Sequence, residues 1–327
     1  VIEIVSTGGM TTVQDAGRHG HRRLGVSVGG ALDVVAATVA NRMVGNPDDA
    51  AFLEIAIFPL RVRFGAAARI ALTGADANAE LDGQRLPPWW SAVVQPGQVL
   101  VMRTPSAGGV GYLAVAGGID VPVVMGSRST DLKACFGGLD GRPLRKGDRL
   151  AVGAGHRPAG ERRYGVVPPF VALAAPRPLD APLTDERTTT VRVLPAAQWS
   201  AFPPAVRKQF LGTRWSITPD SNRIGLRLSG PALHTAKPLE LLSHGIVPGV
   251  VQVPPNGQPI VMQCDAQTAG GYPKIATVIE ADQWRVAQAG IGNGVCFVEV
   301  DRDEALRALE QLKHYLARVQ RAIDTTS

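Results

Sequence analysis

The sequence predicts a mainly β protein with a few helices, organised as two domains. Three observations carry that expectation. A chain of 327 residues exceeds what one small core organises. Its 37 glycines and 25 prolines, against 5% aromatic residues, favour short strands and tight turns over a helical bundle. Between 155 and 190 the composition shifts to Ala, Pro and Arg, with Glu161-Arg162-Arg163 and then Pro176, Pro178 and Pro182. Such a stretch reads as a linker or an extended crossing between two strand-rich blocks. The expected division is a first domain over 1–155, the crossing over 156–189, and a second domain over 190–327.

The elements follow in order. Val1-Ile2-Glu3-Ile4-Val5 reads as a strand with an acid in it and no basic lead. Asp33 to Val44 reads as a helix, with Ala36, Ala37, Val39, Ala40, Met43 and Val44 on its apolar face. Gly45 is placed to cap its end, and Asn46-Pro47 blocks continuation. Strands are expected at Phe52–Ile57, Leu60–Phe64, Ala68–Leu72, Val99–Arg103 and Gly111–Ala116. Asp82-Gly83 is a hairpin signal between Ala79–Leu81 and Gln84–Leu86.

The second block opens with a strand at Thr190–Leu194 and carries helices near Ala205–Leu211 and Glu280–Ala289. The chain closes on a helix from about Asp303 to Ile323. Leu306, Leu309, Leu312, Leu316, Val319 and Ile323 recur there at steps of three and four, one apolar stripe. The stripe either packs on its own domain or docks a second chain.

Composition excludes several classes. With 45% hydrophobic and 19% charged residues the chain reads as soluble and globular. The net charge of +6 is spread along the chain, and no basic run interleaves with aromatics, so no nucleic-acid partner is expected. Isolated arginines suit a small anionic ligand better than a phosphate backbone. No stretch approaches the roughly 18 uninterrupted apolar residues of a membrane span. Cys135, Cys264 and Cys296 show neither paired nor metal-type spacing, which points to a reducing, cytoplasmic setting. His19 and His21 lack carboxylate or cysteine companions, so no metal site is expected.

Four segments look over-specified for scaffold. The richest is Asp265-Ala266-Gln267-Thr268-Ala269-Gly270-Gly271-Tyr272-Pro273-Lys274. It sits between the apolar runs Pro259–Met262 and Ile275–Ile279, as a polar loop presented by two strands or as an ordinary Gly-rich hairpin. Each of its polar groups costs free energy if buried without a partner. It is preceded by Ser243-His244-Gly245 and by Val251-Gln252-Val253-Pro254-Pro255-Asn256-Gly257. A second segment, Gln14 to Gly20 continuing through Gly25 to Asp33, leads a Gly-rich loop into the first helix. Amide N–H groups there could hold an anion with help from Arg18, Arg22 and Arg23, or Asp33 could simply cap the helix. A third, Gly126-Ser127-Arg128-Ser129-Thr130 after the turn at Gly117-Gly118, sets hydroxyls beside a guanidinium. That set either reads a carboxylate or phosphate, or satisfies loop carbonyls. The fourth, Asp220 to Leu228, feeds a strand carrying Arg223 and Arg227. No His-Glu-x-x-His motif or P-loop is present.

Taken in order, these blocks resemble the allophanate hydrolase subunit 2 family, also called the carboxyltransferase A/B-subdomain family. The likeness runs from Thr12-Val13-Gln14-Asp15 to Ala287-Gln288. It is carried by Ala40–Pro47, Tyr112–Pro122 with Gly126–Thr130, Gly137–Arg142 with Gly147-Asp148, and Gln252–Pro255 through Gly270–Lys274. The sequence departs from the family wording at His244, where an acid is usual, and at Ala266 and Ala269, where a histidine and a threonine are usual.

The resemblance implies two cyclophilin-like β-barrel domains and a partner of the subunit 1 type, which supplies the C and D carboxyltransferase subdomains. It also implies an ATP-dependent amidohydrolase, most directly a 5-oxoprolinase converting 5-oxoproline to glutamate with a third component. Such an enzyme subunit would be inactive alone. ATP, with magnesium, would be held here or by the partner, and no covalent biotin is expected, since no Met-Lys-Met carrier signature is present. On that reading Asp265, Gln267, Thr268 and Lys274 are the catalytic candidates. Arg223, Arg128, Ser127, His244, Tyr272, Asp33 and Arg18 are candidates for binding a small anionic amide. Family relatives leave two other roles open: a regulator that sequesters a kinase-inhibitor-like partner, and the carboxyltransferase module of a urea-carboxylase-like biotin system.

Overall fold

Alternation of buried and exposed side chains builds the first unit. In Leu60–Phe64 the apolar Leu60, Val62 and Phe64 are buried while Arg61 and Arg63 face outward, as a sheet with one covered face requires. The structure, a computed structural model, describes residues 1–155, 163–173 and 187–325. Much of the expected crossing over 156–189 therefore lies outside the described residues. By contacts the first unit comprises Val1–His19, Val28–Ala172 and the chain from Tyr315 onward; the second comprises Gly20–Ser27 and Leu173–His314.

Two antiparallel sheets make the first unit. One runs in the order Ile119–Asp120, Arg149–Val152, Ile2–Thr7, Leu60–Phe64, Val99–Met102, Glu80–Leu81, Gln84–Arg85. The other runs Tyr164–Gly165, Trp90–Val94, Ala68–Asp76, Ala107–Val115, Phe52–Ile55, Thr11–Gln14. Ile4, Val62, Leu72, Leu100 and Leu113 belong to its hydrophobic core. The helix Val34–Met43 lies on the strands Ala68–Asp76 and Ala107–Val115 and is fixed there by Thr73 Oγ1 donating to the Ala36 carbonyl. Gly45 follows its end at φ +76°, a left-handed position that glycine adopts without strain. Asp82 and Gly83 both take positive φ in the expected two-residue hairpin.

The second unit is a closed barrel. Its strands follow the order Thr188–Pro195, Lys274–Val278, Val250–Gln252, Ile260–Met262, Gly225–Ser229, Trp215–Ile217 and Gly294–Glu299. The seam pairs Gly294–Glu299 with Thr188–Pro195 in parallel, and every other pair is antiparallel. Closure leaves no edge among these strands to template another chain. The helix Pro204–Gly212 inserts Phe210 into the core, where its ring stacks on Phe297 at 4.6 Å. The mainly β expectation holds, with five α-helices among the described residues.

The last helix, Arg302–Asp324, is buried along Ala308, Leu312, Tyr315, Val319 and Ile323. The expected stripe is therefore rotated: Leu306 is 49% exposed, and Tyr315 takes a place in the buried row. In the first unit Tyr315 Oη donates to the Val167 carbonyl and Arg42 donates to the carbonyl of Leu316. That half of the helix is taken up by its own chain.

Candidate functional site

The Asp265–Lys274 segment is not a hairpin loop. The strands on either side of it, Ile260–Met262 and Lys274–Val278, each pair with Val250–Gln252 and not with one another. The intervening chain has to cross over the Val250–Gln252 strand. On the way Ala269–Gly270 forms a short antiparallel ribbon with His244–Gly245, and the Ile246 N–H donates to the Thr268 carbonyl. The ribbon gives the crossing backbone its hydrogen-bond partners.

Beneath the ribbon lie two buried polar side chains from adjacent strands. Gln252 stands directly opposite Lys274, and residues so placed project to the same face of a sheet. Lys274 is 5% exposed, and its Nζ donates to the Gly245 carbonyl at 2.7 Å. Burial pushes its ammonium pKa down, because the charged form loses hydration. Gln252 is 1% exposed, and its Nε2 has no hydrogen-bond partner among the described residues. Gly270 is what lets the ribbon lie so close. A β-carbon there would come within 3.3 Å of Gln252 Nε2 and 3.6 Å of Gln267 Nε2.

Arg223 and Asp265 form a second buried pair. Arg223 Nε donates to Asp265 Oδ2 at 2.8 Å and Nη2 to Oδ1 at 3.0 Å, a two-pronged guanidinium–carboxylate contact. The Asp265 N–H also donates to the Arg223 carbonyl, so side chains and backbone both tie the loop to the turn before Gly225–Ser229. Arg223 Nη2 lies 3.2 Å from Cys264 Sγ. Both oxygens of the Asp265 carboxylate are thus occupied by one guanidinium. That geometry suits anchoring the loop better than deprotonating water.

Around this frame open two concavities. One, of 430 Å³, has Thr218, Gln252, Gln267 and Tyr272 among its polar lining and Ile224, Ile260 and Met262 among its apolar lining. The Thr218 hydroxyl oxygen is buried there without a hydrogen-bond partner among the described residues. The other, of 840 Å³, runs between Phe202, Leu241, Pro254 and Gly271, and Tyr272 borders both. His244 lines neither. Its Nδ1 faces the Leu242 carbonyl at 3.0 Å, and since a carbonyl only accepts, Nδ1 carries the proton. Its Nε2 is buried without a hydrogen-bond partner among the described residues.

The structure brings Gln267 and Tyr272 to one cleft, seats Lys274 beneath the ribbon that includes His244 and lies next to Thr268, and ties Arg223 to Asp265 where the crossing leaves Ile260–Met262. The other candidates belong to the first unit and have structural partners there. Arg18 is fully buried, donates to the carbonyls of Val124 and Ser129, and lies 4.6 Å over the Phe136 ring. Ser127 Oγ donates to Asp15 Oδ1, which also accepts from Ser129 Oγ and the Gly17 N–H, while the Arg128 N–H serves Oδ2. The Arg128 guanidinium donates to the Val121 carbonyl. Asp33 is the helix N-cap, accepting from the Ala36 N–H, and is fully buried. Gln252 and Thr218 join the site without having been candidates on sequence. Gln252 had a signal, a polar residue inside the apolar strand Val250–Val253; Thr218 had none.

These features are those of a carboxyltransferase-type β-barrel module with a polar segment crossing over its Val250–Gln252 strand. Residues 24–299 match the family described as "Carboxyltransferase domain, subdomain A and B", and the chain belongs to that family. It is 44% identical over 315 residues to the C component of 5-oxoprolinase from Escherichia coli, covering 96% of each chain. It is 36% identical to the C component of 5-oxoprolinase from Haemophilus influenzae, covering 99% of each. Among solved structures it is similar to Kluyveromyces lactis urea carboxylase, with a TM-score of 0.85 at 28% identity. That likeness covers 97% of this chain and 29% of the urea carboxylase.

Proposed function

We propose that this chain is a subunit of an ATP-dependent amidohydrolase that opens 5-oxoproline to glutamate, working with a subunit 1 type partner and a third component. The observation that carries the reading is end-to-end similarity to two proteins named as the C component of 5-oxoprolinase, together with a cleft that has Gln267 and Tyr272 of the polar segment in its lining. Hydrolysing a lactam requires activation of an unreactive carbonyl, because amide resonance must be broken before water can add. ATP supplies that activation by phosphorylating the amide oxygen. Among the described residues, both buried cations at the polar segment are already engaged within the chain. Lys274 is bonded beneath the ribbon, and Arg223 is clasped to Asp265. Among the described residues no trio of His, Cys, Asp or Glu side chains is placed to hold a metal ion. The proposal therefore assigns ATP and magnesium to the partner and routes no step on this chain through them.

What this chain contributes is recognition and electrostatics. Arg223 and Asp265 fix the loop, and Gln267, Thr268 and Tyr272 present polar groups from it. Lys274 sets a buried cation close beneath the ribbon, where low dielectric strengthens its pull on negative charge developing at the reacting carbonyl. The test is reconstitution with the subunit 1 type partner and the third component, followed by ATP-dependent glutamate release from 5-oxoproline. Release is expected. Stable assembly with no release would sink the hydrolase reading in favour of a sequestering one. In the active complex Lys274→Ala should lower kcat at least about tenfold with the fold intact by circular dichroism, as loss of one electrostatic donor does; full activity would remove Lys274 from the chemistry.

A second reading has its own support, the match of 97% of this chain to urea carboxylase at a TM-score of 0.85. On that reading the partnered chain would move a carboxyl group from carboxybiotin, held on a separate carrier, to urea. Transfer to urea without glutamate release would favour it.

A further inference from the structure

We propose that the strap from His234 to Gly245 is a gate over Lys274 and Gln252, and that its parting from Ala269–Gly270 offers those two donors to an anionic oxygen of the substrate. The catalytic use of the donors rests on the hydrolase reading; the gate rests on geometry alone. No residue from 234 to 245 is buried, and Leu242 is 91% exposed. The flanking residues are apolar anchors. Leu233 belongs to the barrel core, and Ile246 to a small separate cluster with Val250, Met262 and Ala266. Between these anchors the Ala236 N–H donates to the Ala201 carbonyl, the Leu241 carbonyl lies against Gly271, and the ribbon adds two residue pairs. A segment with so little burial opens more readily than the barrel strands beside it. It also has room to move. The 840 Å³ concavity separates it from the barrel wall, with Thr235, Pro238 and Leu241 on one side and Val253 and Pro254 on the other.

What lies under the ribbon is short of acceptors. Lys274 and Gln252 stand directly opposite one another on neighbouring strands and project to the same face. An ammonium carries three N–H groups, and Lys274 gives one to the Gly245 carbonyl, which is part of the gate. Gln252 Nε2 carries two more and has no partner among the described residues. Gly245 is therefore the latch. When it leaves, the Lys274 ammonium loses its carbonyl, and an oxygen of the ligand takes that place. Both groups donate, so they suit an oxygen that only accepts. A negative oxygen suits them best, because burial acts on Lys274 with no carboxylate beside it, among the described residues, to offset the cost. The closed gate keeps the pair dry, at 5% and 1% exposure, and the open gate admits the ligand.

A disulfide tests the gate. The Ile246 N–H bond to the Thr268 carbonyl makes Gly245 and Ala269 a non-hydrogen-bonded pair, with Cα atoms about 4.5 Å apart and within disulfide reach. Both residues are exposed, and a β-carbon at Gly245 meets nothing within 4 Å. The full chain carrying Gly245→Cys and Ala269→Cys is labelled briefly with acetic anhydride, and each lysine is followed by peptide mass spectrometry. The parent chain taken through the same oxidation is the control. Closing the disulfide should slow labelling of Lys274 at least about tenfold, and reductant should restore it. The exposed Lys146 and Lys208 should label alike in both states. In the complex with the subunit 1 type partner and the third component, the closed disulfide should abolish ATP-dependent glutamate release, again reversibly. Gln252→Leu should lower kcat about tenfold while Lys274 labels as in the parent. Labelling of Lys274 that ignores the disulfide, or is absent in both states, would overturn the gate. Full kcat in Gln252→Leu would remove Gln252 as a donor. Gated labelling with no glutamate release by the parent complex would leave the gate standing without the hydrolase reading. Release undiminished by the closed disulfide would keep the hydrolase reading and overturn the gate's part in it.

Discussion

Two glycine-rich polar segments of this molecule look alike as sequence and behave oppositely as structure. The Asp15 region of the first unit and the loop at 263–274 of the second both mix acidic, hydroxyl, amide and basic side chains with glycines. In the first, nearly every group is used. Asp15 accepts from Gly17, Ser127, Arg128 and Ser129, and Arg18 is engaged by loop carbonyls and an aromatic ring, while Gln14 Oε1 has no partner among the described residues. Around the second, Thr218, Gln252 and His244 keep buried atoms without partners among the described residues, and Thr218 and Gln252 line a cleft. Polar density alone therefore does not mark a site.

The sharpest break of this contrast is removal of the hub of the saturated region. Asp15→Ala would strand two serine hydroxyls and two backbone N–H groups in a nearly dry setting. Buried hydrogen bonds to a charge are worth about 1.5–3 kcal/mol each and are not additive, so a loss of about 3–5 kcal/mol is expected. The urea midpoint should fall, and hydrogen exchange should speed up over 11–19 and 124–141 while 250–278 stays protected. An unmoved midpoint would mean that the Asp15 region is not scaffold.

A matched pair of glycine substitutions tests both regions with one methyl group each. Gly137 has φ +69°, and a β-carbon there would collide with the Ser129 carbonyl and lie 2.9 Å from Arg18 Nη2. Gly137→Ala should cost about 2–4 kcal/mol, from left-handed strain plus displacement of rigid backbone. Gly270 has no positive φ, and its added methyl would meet the movable end of Ile246 at 2.7 Å and then Gln252. Gly270→Ala should cost about 1 kcal/mol in thermal or urea unfolding, as modest overpacking does. If the two costs came out equal, the division between scaffold glycine and cleft glycine would fail.

How much of this was legible in the sequence follows the range of the interactions. The helix from Asp33, the Asp82-Gly83 hairpin and the Leu60–Phe64 strand are set by neighbours within a few residues, and periodicity and turn chemistry give them away. Strand order is not local. That Ile260–Met262 and Lys274–Val278 flank a common neighbour depends on barrel closure, so the loop between them reads as a hairpin until the barrel is seen. The candidate site divides in the same way. Arg223 and Asp265 lie 42 positions apart, and both were candidates, but their pairing is tertiary and no local pattern announces it. Gln252 was hidden for the opposite reason: a lone amide in an apolar strand carries meaning only when its partner is missing.

The finest probe of the contrast is the proton on Lys274. Burial lowers its folded-state pKa from 10.5, so the folded protein gives up this proton more readily than the unfolded chain. Below the folded value both states are protonated, and the desolvation cost is borne in full. Between the folded and unfolded values the unfolded chain binds more protons, so stability rises with pH as the cost is relieved. In Lys274→Met that gain is absent, while the other lysines and tyrosines titrate in both proteins and cancel in the difference. The stability of the parent relative to Lys274→Met should therefore climb as pH approaches about 10.4, the unfolded lysine value. Parallel curves on that approach would show that the ammonium beneath the ribbon is hydrated as well as one at the surface. The buried polar atoms around it could then be reached by water, and the region beneath the ribbon would lose its claim to be different from the Asp15 region.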